Sequence, residues 1–276
     1  MTAVTSVPPL LTVQDLTVDF GSPARSVRAV DGVSFDLRPG ETVGLIGESG
    51  SGKSTIVRAV LRLLPEGTRV TGQIRFGDVA LLEASEKMLR PMRWKAMAFV
   101  PQSAMNSLDP VRQVGRQIVD VIRAHEKVSS RDAWERARVA LASVGIDPSR
   151  ATDYPHQFSG GMRQRALIAM STILKPKLLI ADEPTTGLDV VVQDQVLGEL
   201  QRVCREQTIA TIFVTHDLGV AAEMCTHLVV MCRGVAVESG RVEDVLVRPQ
   251  HSYTQALLHS TRARLVSEKP RQGDPR

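Results

Sequence analysis

An α/β fold built on a parallel sheet is what the 276 residues predict, with a small antiparallel β element and a helical insertion attached to it. Three observations carry that prediction. Apolar runs of strand length alternate with helix-periodic segments over much of the chain, as strands joined by crossover helices require. A glycine-rich loop, Gly47–Ser54, stands between one such run and the first helix. From Pro110 to Ser159 the alternation stops and only helical spacing remains.

In chain order, Leu11–Phe20 and Ala29–Leu37 read as two strands joined by a Gly-Ser-Pro turn, and Pro39-Gly40 turns the chain into the buried run Thr42–Ile46. After the glycine-rich loop, Ile56, Val60, Leu63 and Leu64 recur at helical spacing until Pro65 stops them. Gly72–Gly77 and the segment around Ala96–Val100 read as further strands, both assigned to the antiparallel element. Within the insertion, Val111, Val114, Ile118, Val121 and Ile122 mark one helix, and Trp134, Ala137, Leu141 and Val144 mark another. Ser129 with Asp132 can cap the start of the second, and Gly145 can end it. The alternation then resumes with helix Arg163–Leu174, strand Leu178–Ala181, helix Val191–Cys204, strand Thr208–Thr215, a short helix and strand Leu228–Cys232. From about Arg248 the sequence turns polar and charged as far as Glu268–Arg276, which predicts a surface tail.

Composition narrows the function. Hydrophobic residues make up 43% of the chain, ample for a core, while aromatics at 4% are too few for the stacking platforms of single-stranded nucleic acid. A net charge of +4 arises from scattered Lys and Arg, which reads as solvated faces or proximity to anionic lipid rather than a nucleic-acid stripe. Cys204, Cys225 and Cys232 lack C-x-x-C spacing, which argues against a zinc site or a disulfide framework and for thiols in a reducing cytoplasm. Met1–Leu10 has neither the basic start nor the apolar core of a signal peptide. No window reaches the roughly 20 apolar residues of a membrane helix.

The chemistry concentrates in a few places. Gly47–Ser54 fits G-x-x-x-x-G-K-[ST], with the strand before it and the helix after it that the motif requires. Its backbone N–H groups can form an anion nest, Lys53 can reach β- and γ-phosphates, and Ser54 can ligate Mg²⁺. The apolar run Leu178–Ala181 delivers Asp182 and Glu183: the first suits a Mg²⁺ ligand, the second a base that orients or deprotonates water. Strand Thr211–Thr215 presents His216 in the same way, and Gln102 follows the strand ending at Val100. Ser159-Gly160-Gly161 is a second glycine turn opening a helix, with no lysine, so it is not a second phosphate loop.

In this order, Gly47–Ser54, Gln102, Ser159-Gly160-Gly161, Asp182-Glu183, Gly187-Leu188-Asp189 and His216 resemble the ATP-binding subunit of an ATP-binding-cassette (ABC) transporter. The resemblance covers roughly residues 11 to 260. It implies a P-loop NTPase (RecA-like) core with an antiparallel β subdomain and a helical ABC-specific subdomain at about 111–165. The nucleotide domain would span 11–247 and a tail 248–276. ATP would be bound by Gly47, Glu48, Ser49, Gly50, Ser51, Gly52, Lys53, Ser54 and Thr55, with Phe20 against adenine. Ser159, Gly160, Gly161 and Asp189 would complete the site of a second subunit. Mg²⁺ would lie on Ser54, Gln102 and Asp182, and Glu183, His216 and Gln102 would be catalytic.

A subgroup resemblance is also specific. Leu63-Leu64-Pro65, Val70-Thr71-Gly72, Asn106-Ser107-Leu108-Asp109-Pro110, Ser159–Arg165 and the tail stretch Pro249–Leu258 resemble the ATPases of oligopeptide, dipeptide and nickel importers. Met162 stands where the wider family has Gln, as is usual in this subgroup, and Ser252 where the subgroup usually has proline. The chain stops before the cysteine-rich segment of some relatives, so no iron–sulfur cluster is expected. The implied partners are two transmembrane permease subunits, a second ATPase subunit and, indirectly, an extracytoplasmic solute-binding protein, with no nucleic acid. The implied place is the cytoplasmic face of the cell membrane. The alternative in this subgroup is an ATPase assisting a soluble, phosphonate-degrading enzyme complex. Chromosome-organising ATPases are disfavoured because no sustained heptads separate Gly72 from Ser159.

Overall fold

In the computed structural model, residues 7–22, 25–102 and 107–267 are described. The chain opens with a hairpin, β1 (Leu11–Ser22) and β2 (Arg25–Leu37). Leu11 and Val13 face inward and so do Leu16 and Val18, so the two-residue alternation slips once between the pairs. Asp15 absorbs the slip with a left-handed backbone, φ 47°, at an irregularity in the ladder. Then come β3 (Thr42–Ile46), helix α1 (Lys53–Val60), β4 (Arg69–Phe76), the two-residue β5 (Val79–Ala80), the short α2 (Glu86–Leu89) and β6 (Met97–Val100).

The helical region holds α3 (Val114–His125) and α4 (Ser130–Ala142), followed by 3-10 turns at Pro148–Thr152 and Pro155–Gln157 and by α5 (Gly160–Thr172). Ser129 caps α4 as its side chain accepts from Asp132 N at 3.1 Å, and Gly145 takes φ 68° just past the helix end. Strand and helix then alternate: β7 (Leu178–Asp182), α6 (Val190–Glu206), β8 (Ala210–Thr215), α7 (Leu218–Met224), β9 (His227–Cys232). The chain ends in β10 (Val235–Arg241), α8 (Val242–Val247) and α9 (Ser252–Ser267).

Two sheets result. The antiparallel sheet has the order β2-β1-β4-β5; the other runs β10-β9-β3-β8-β7-β6 and is parallel except for β10. Strands buried on both faces send alternate side chains to two cores. On β7, Leu178 and Ile180 join α1 and the antiparallel sheet, while Leu179 and Ala181 join the core shared with α3, α4, α5 and α6. Each large side chain fully buried there contributes about 1.5–3 kcal/mol.

Two expectations are corrected. The Ala96–Val100 segment does not belong to the antiparallel sheet: β6 pairs in parallel with β7, Met97 opposite Leu178 and Val100 opposite Ala181. Its residues Met97, Ala98 and Val100 are buried between layers, and a four-residue apolar run carries no mark of which sheet will cover it. The stretch after Arg248 is not merely a surface tail. α9 packs Tyr253, Leu257 and Leu258 on the core and buries Thr254 completely, while residues 268–276 lie outside the described residues. Asn106 and the Pro23 of the first turn also lie outside them.

Candidate nucleotide site

β3, β6, β7 and β8 run parallel, so the carboxyl ends that the sequence marked out lie together at one end of that sheet. β3 runs into Gly47–Gly52, and α1 starts at Lys53 with no side-chain cap on its first turn, leaving helix-start N–H groups available to an anion. Two of the loop glycines are demanded by neighbours as well as by backbone angle. A Cβ at Gly47 would lie 2.1 Å from Met231 O, and one at Gly52 2.5 Å from Ala29 O. Lys53 is 5% exposed. Its Nζ donates to Gly47 O at 2.7 Å, Glu48 O at 2.8 Å and Ser51 Oγ at 3.5 Å. Burial pushes its pKa below the ordinary lysine value, opposed by the negative charges of Glu183, Asp182 and Glu48.

β7 brings Asp182 under this loop, with Ser54 Oγ 3.5 Å from its Oδ1. Burial raises the Asp182 pKa, the Ser54 bond and Lys53 oppose the rise, and neighbouring Glu183 adds to it. A half-buried acid whose charge is incompletely compensated, beside a hydroxyl, suits a hard divalent cation. Among the described residues no group of three or more His, Cys, Asp or Glu could hold a metal alone. Two protein oxygens completed by phosphate are the usual Mg²⁺ arrangement, so the donor set fits Mg²⁺.

Glu183 is the hub of the site. Its backbone is left-handed, φ 45°, and its N–H is held by Val214 O of β8 at 3.0 Å. Such a conformation costs a non-glycine residue of order 1–3 kcal/mol and is retained where the surroundings over-determine it. On the carboxylate, Oε2 accepts from Gln102 Nε2 and Thr186 Oγ1, each at 3.0 Å, and Oε1 lies 3.3 Å from His216 Nδ1. Gln102, Glu183 and His216, 33 to 114 positions apart in the chain, meet on one carboxyl group. His216 is exposed, and Glu183 and His216 line the same cleft as Thr186, Gly187 and Leu188.

Ser159, Gly160 and Gly161 are elsewhere: among the described residues no hydrogen bond joins them to the phosphate loop. Ser159 caps α5 as its Oγ accepts from Met162 N at 3.3 Å. Gly161 lets α5 close on α6, where a Cβ would lie 2.2 Å from Val192 Cγ1. Asp189 caps α6, accepting from Val192 N at 3.0 Å. Phe20 pairs with Val27 across the β1–β2 hairpin and is half-buried against the core beneath the antiparallel sheet.

Residues 30–186 match the family described as ABC transporter. This chain belongs to the ABC transporter family. A probable peptide ABC transporter ATP-binding protein of Sinorhizobium fredii is 46% identical over 255 residues, covering 91% of this chain and 76% of the relative. The oligopeptide transport ATP-binding protein of Bacillus subtilis is 44% identical, covering 91% and 71%. That of Salmonella typhimurium is 43% identical, covering 94% and 78%. Among solved structures, a dimeric ATP-binding cassette in a post-hydrolysis state bound to ADP and Pi superposes with TM-score 0.74 at 23% identity, over 84% of this chain and 98% of that one. A component of an ABC transporter complex from Clostridium perfringens gives 0.74 at 24%, over 94% and 96%. These two are likenesses of fold, and the fold is that of an ABC cassette.

Sequence reasoning passed over two side chains of this ABC cassette. Thr186, three residues after Glu183 on the same tight turn, shares Oε2 with Gln102; a hydroxyl at that spacing from a candidate base was the available signal. Tyr253, read only as part of a tail motif, bonds the phosphate loop at Glu48. Nothing in the local pattern pairs positions 205 residues apart.

Proposed function

We propose that this chain is the ATP-hydrolysing subunit of an ABC import system that energises uptake of oligopeptides, dipeptides or a related small solute across the cytoplasmic membrane. The observation that carries the ATPase reading is the Glu183 carboxylate, oriented by Gln102, Thr186 and His216 at the rim of a phosphate loop whose lysine is already buried and aimed. The peptide reading rests on the names of relatives at 43–46% identity.

In this proposal residues 11–247 form the nucleotide domain, with the helical part at about 111–165 and a tail over 248–276. Gly47–Thr55 cradle the phosphates, Lys53 supplies their counter-charge, and the exposed part of the Phe20 ring meets adenine. Ser54 and Asp182, with Gln102 nearby, would hold Mg²⁺, which when bound neutralises charge on the phosphate oxygens. Glu183 orients the attacking water and takes its proton. Gln102 and Thr186 donate to Oε2 and keep the carboxylate in one orientation, and His216 stands on the other oxygen. Ser159-Gly160-Gly161 and Asp189 serve a second ATPase subunit's nucleotide, since they lie away from this chain's own loop. Two permease subunits receive the motion. An apolar groove lined by Leu61, Leu63, Trp94, Phe99, Leu167 and Met170 reaches Pro101, next to Gln102, and offers them a contact. No described helix is long and apolar enough to cross a membrane. In this reading the chain works at the cytoplasmic face, through those subunits.

Glu183→Gln tests the reading. It keeps the shape and two-sided contacts but cannot accept a proton, so hydrolysis is expected to fall about 10²–10⁴-fold, with MgATP binding and ATP-dependent closure of the dimer retained. Hydrolysis within threefold of the parent would remove Glu183 from its role.

A further inference from the structure

The segment after β10 closes back onto the phosphate loop through one side chain. The Glu238 carboxylate accepts the backbone N–H groups of Gln250 at 2.8 Å and His251 at 3.1 Å. His251 Nδ1 in turn accepts the Tyr253 N–H at 3.1 Å. These bonds fix where α9 begins, and Thr254, Leu257 and Leu258 seat it on the core. So placed, the half-buried Tyr253 has its phenol oxygen 3.3 Å from Glu48 N, which donates to it.

The peptide unit joining Gly47 to Glu48 therefore has a partner at each end. Its N–H goes to Tyr253, and its C=O receives the Lys53 ammonium at 2.7 Å. In a trans peptide these groups point in opposite directions, so the phenol on one side and the lysine on the other fix the rotation of the plane. Glycine on its N-terminal side offers no side chain to oppose a flip. The following carbonyl, Glu48 O, also receives Lys53, at 2.8 Å.

We propose that Tyr253 is a positioning residue for the nucleotide loop: by holding the Gly47–Glu48 peptide it orients the carbonyls that aim Lys53, and the C-terminal helix thereby sets nucleotide affinity. The proposal rests on reading Gly47–Ser54 as the phosphate site. Anything that lifts α9 off the domain would weaken nucleotide binding without touching the loop itself.

The test uses the full-length chain with mant-ATP and Mg²⁺ as the probe. Tyr253→Phe keeps the ring and its packing and removes only the acceptor. Its Kd is expected to rise about fivefold, the worth of one net hydrogen bond. Deuterium exchange at the Glu48 amide should quicken, and the melting temperature should stay within about 2 °C. Lys53→Ala, run beside it, is expected to abolish binding. If Tyr253→Phe binds as the parent does while Lys53→Ala does not bind, the positioning role is overturned and the loop assignment stands. If Lys53→Ala also binds normally, both fall. An affinity loss that merely follows a lowered melting temperature, with Glu48 exchange unchanged, marks a structural tail and overturns the proposal.

Discussion

Gly161→Ala offers a sharp test of how the second glycine turn is built. The residue lies in the first turn of α5 with an ordinary helical backbone, so the effect is steric and not conformational. A Cβ there would sit 2.2 Å from Val192 Cγ1 and 3.9 Å from Val196 Cγ2, against about 3.5–4.0 Å for an ordinary carbon contact. Relief needs a movement of roughly 1.5 Å between α5 and α6. Val192 cannot simply turn aside, because a β-branched side chain in a helix has one strongly preferred rotamer. Overpacking of this kind costs about 1–3 kcal/mol, and the helix propensity gained on replacing glycine returns up to about 1 kcal/mol. A net loss of about 1–2 kcal/mol lowers the melting temperature by about 3–6 °C in a chain of this size. Displacing the helix start should also depress ATPase activity of the assembled subunits by about 10–100-fold. Thermal melts and steady-state ATPase of Gly161→Ala, Val192→Ala and the double variant close a mutant cycle. The double variant should recover most of the stability, with a coupling of about 1–2 kcal/mol. Parent-like melting of Gly161→Ala, or no coupling to Val192, would refute the packing argument.

Two further outcomes follow from the carboxylates. Asp182 has a folded pKa raised chiefly by burial, so its ionised form is a cost that is present above that pKa and relieved as pH falls. Asp182→Asn should therefore melt higher than the parent at pH 8, lose that advantage in acid as the parent's carboxyl protonates, and bind nucleotide with less dependence on Mg²⁺; equal melting at every pH would count against the desolvated-charge account. Thr186→Ala removes one of two donors to Glu183 Oε2 and should lower kcat about 3–10-fold with KM within about twofold, the size of one net hydrogen bond; an unchanged kcat would show that Gln102 alone suffices.

How much of this was legible beforehand depended on whether the determining contacts were local. The strand, loop and helix around Lys53 were readable because the sequence itself spells out apolar run, glycines and periodicity within 25 residues. The cap at Ser129 and the carboxylates at the end of β7 were local for the same reason. Sheet membership of β6 was not, since Met97–Val100 would suit either sheet and only its pairing with β7 decides. β10 also went unread: its turn uses Arg233 at φ 49° and Gly234 at φ 86°, and Arg-Gly is a weak turn signal beside Asn-Gly. At the site, Gln102, Glu183 and His216 stood out in the sequence one by one, while their meeting with Thr186 on one carboxylate depends on three chain segments arriving together.

The phosphate loop is walled in from directions that its own sequence does not encode. Met231 O of β9 closes on Gly47, Ala29 O of β2 closes on Gly52, and Tyr253 of α9 holds Glu48. A peptide cut from residues 42–60 would carry the whole motif and none of those walls. The loop is better regarded as a keystone than as a cassette part: its shape is imposed by both sheets and by α9, and belongs to the assembled fold.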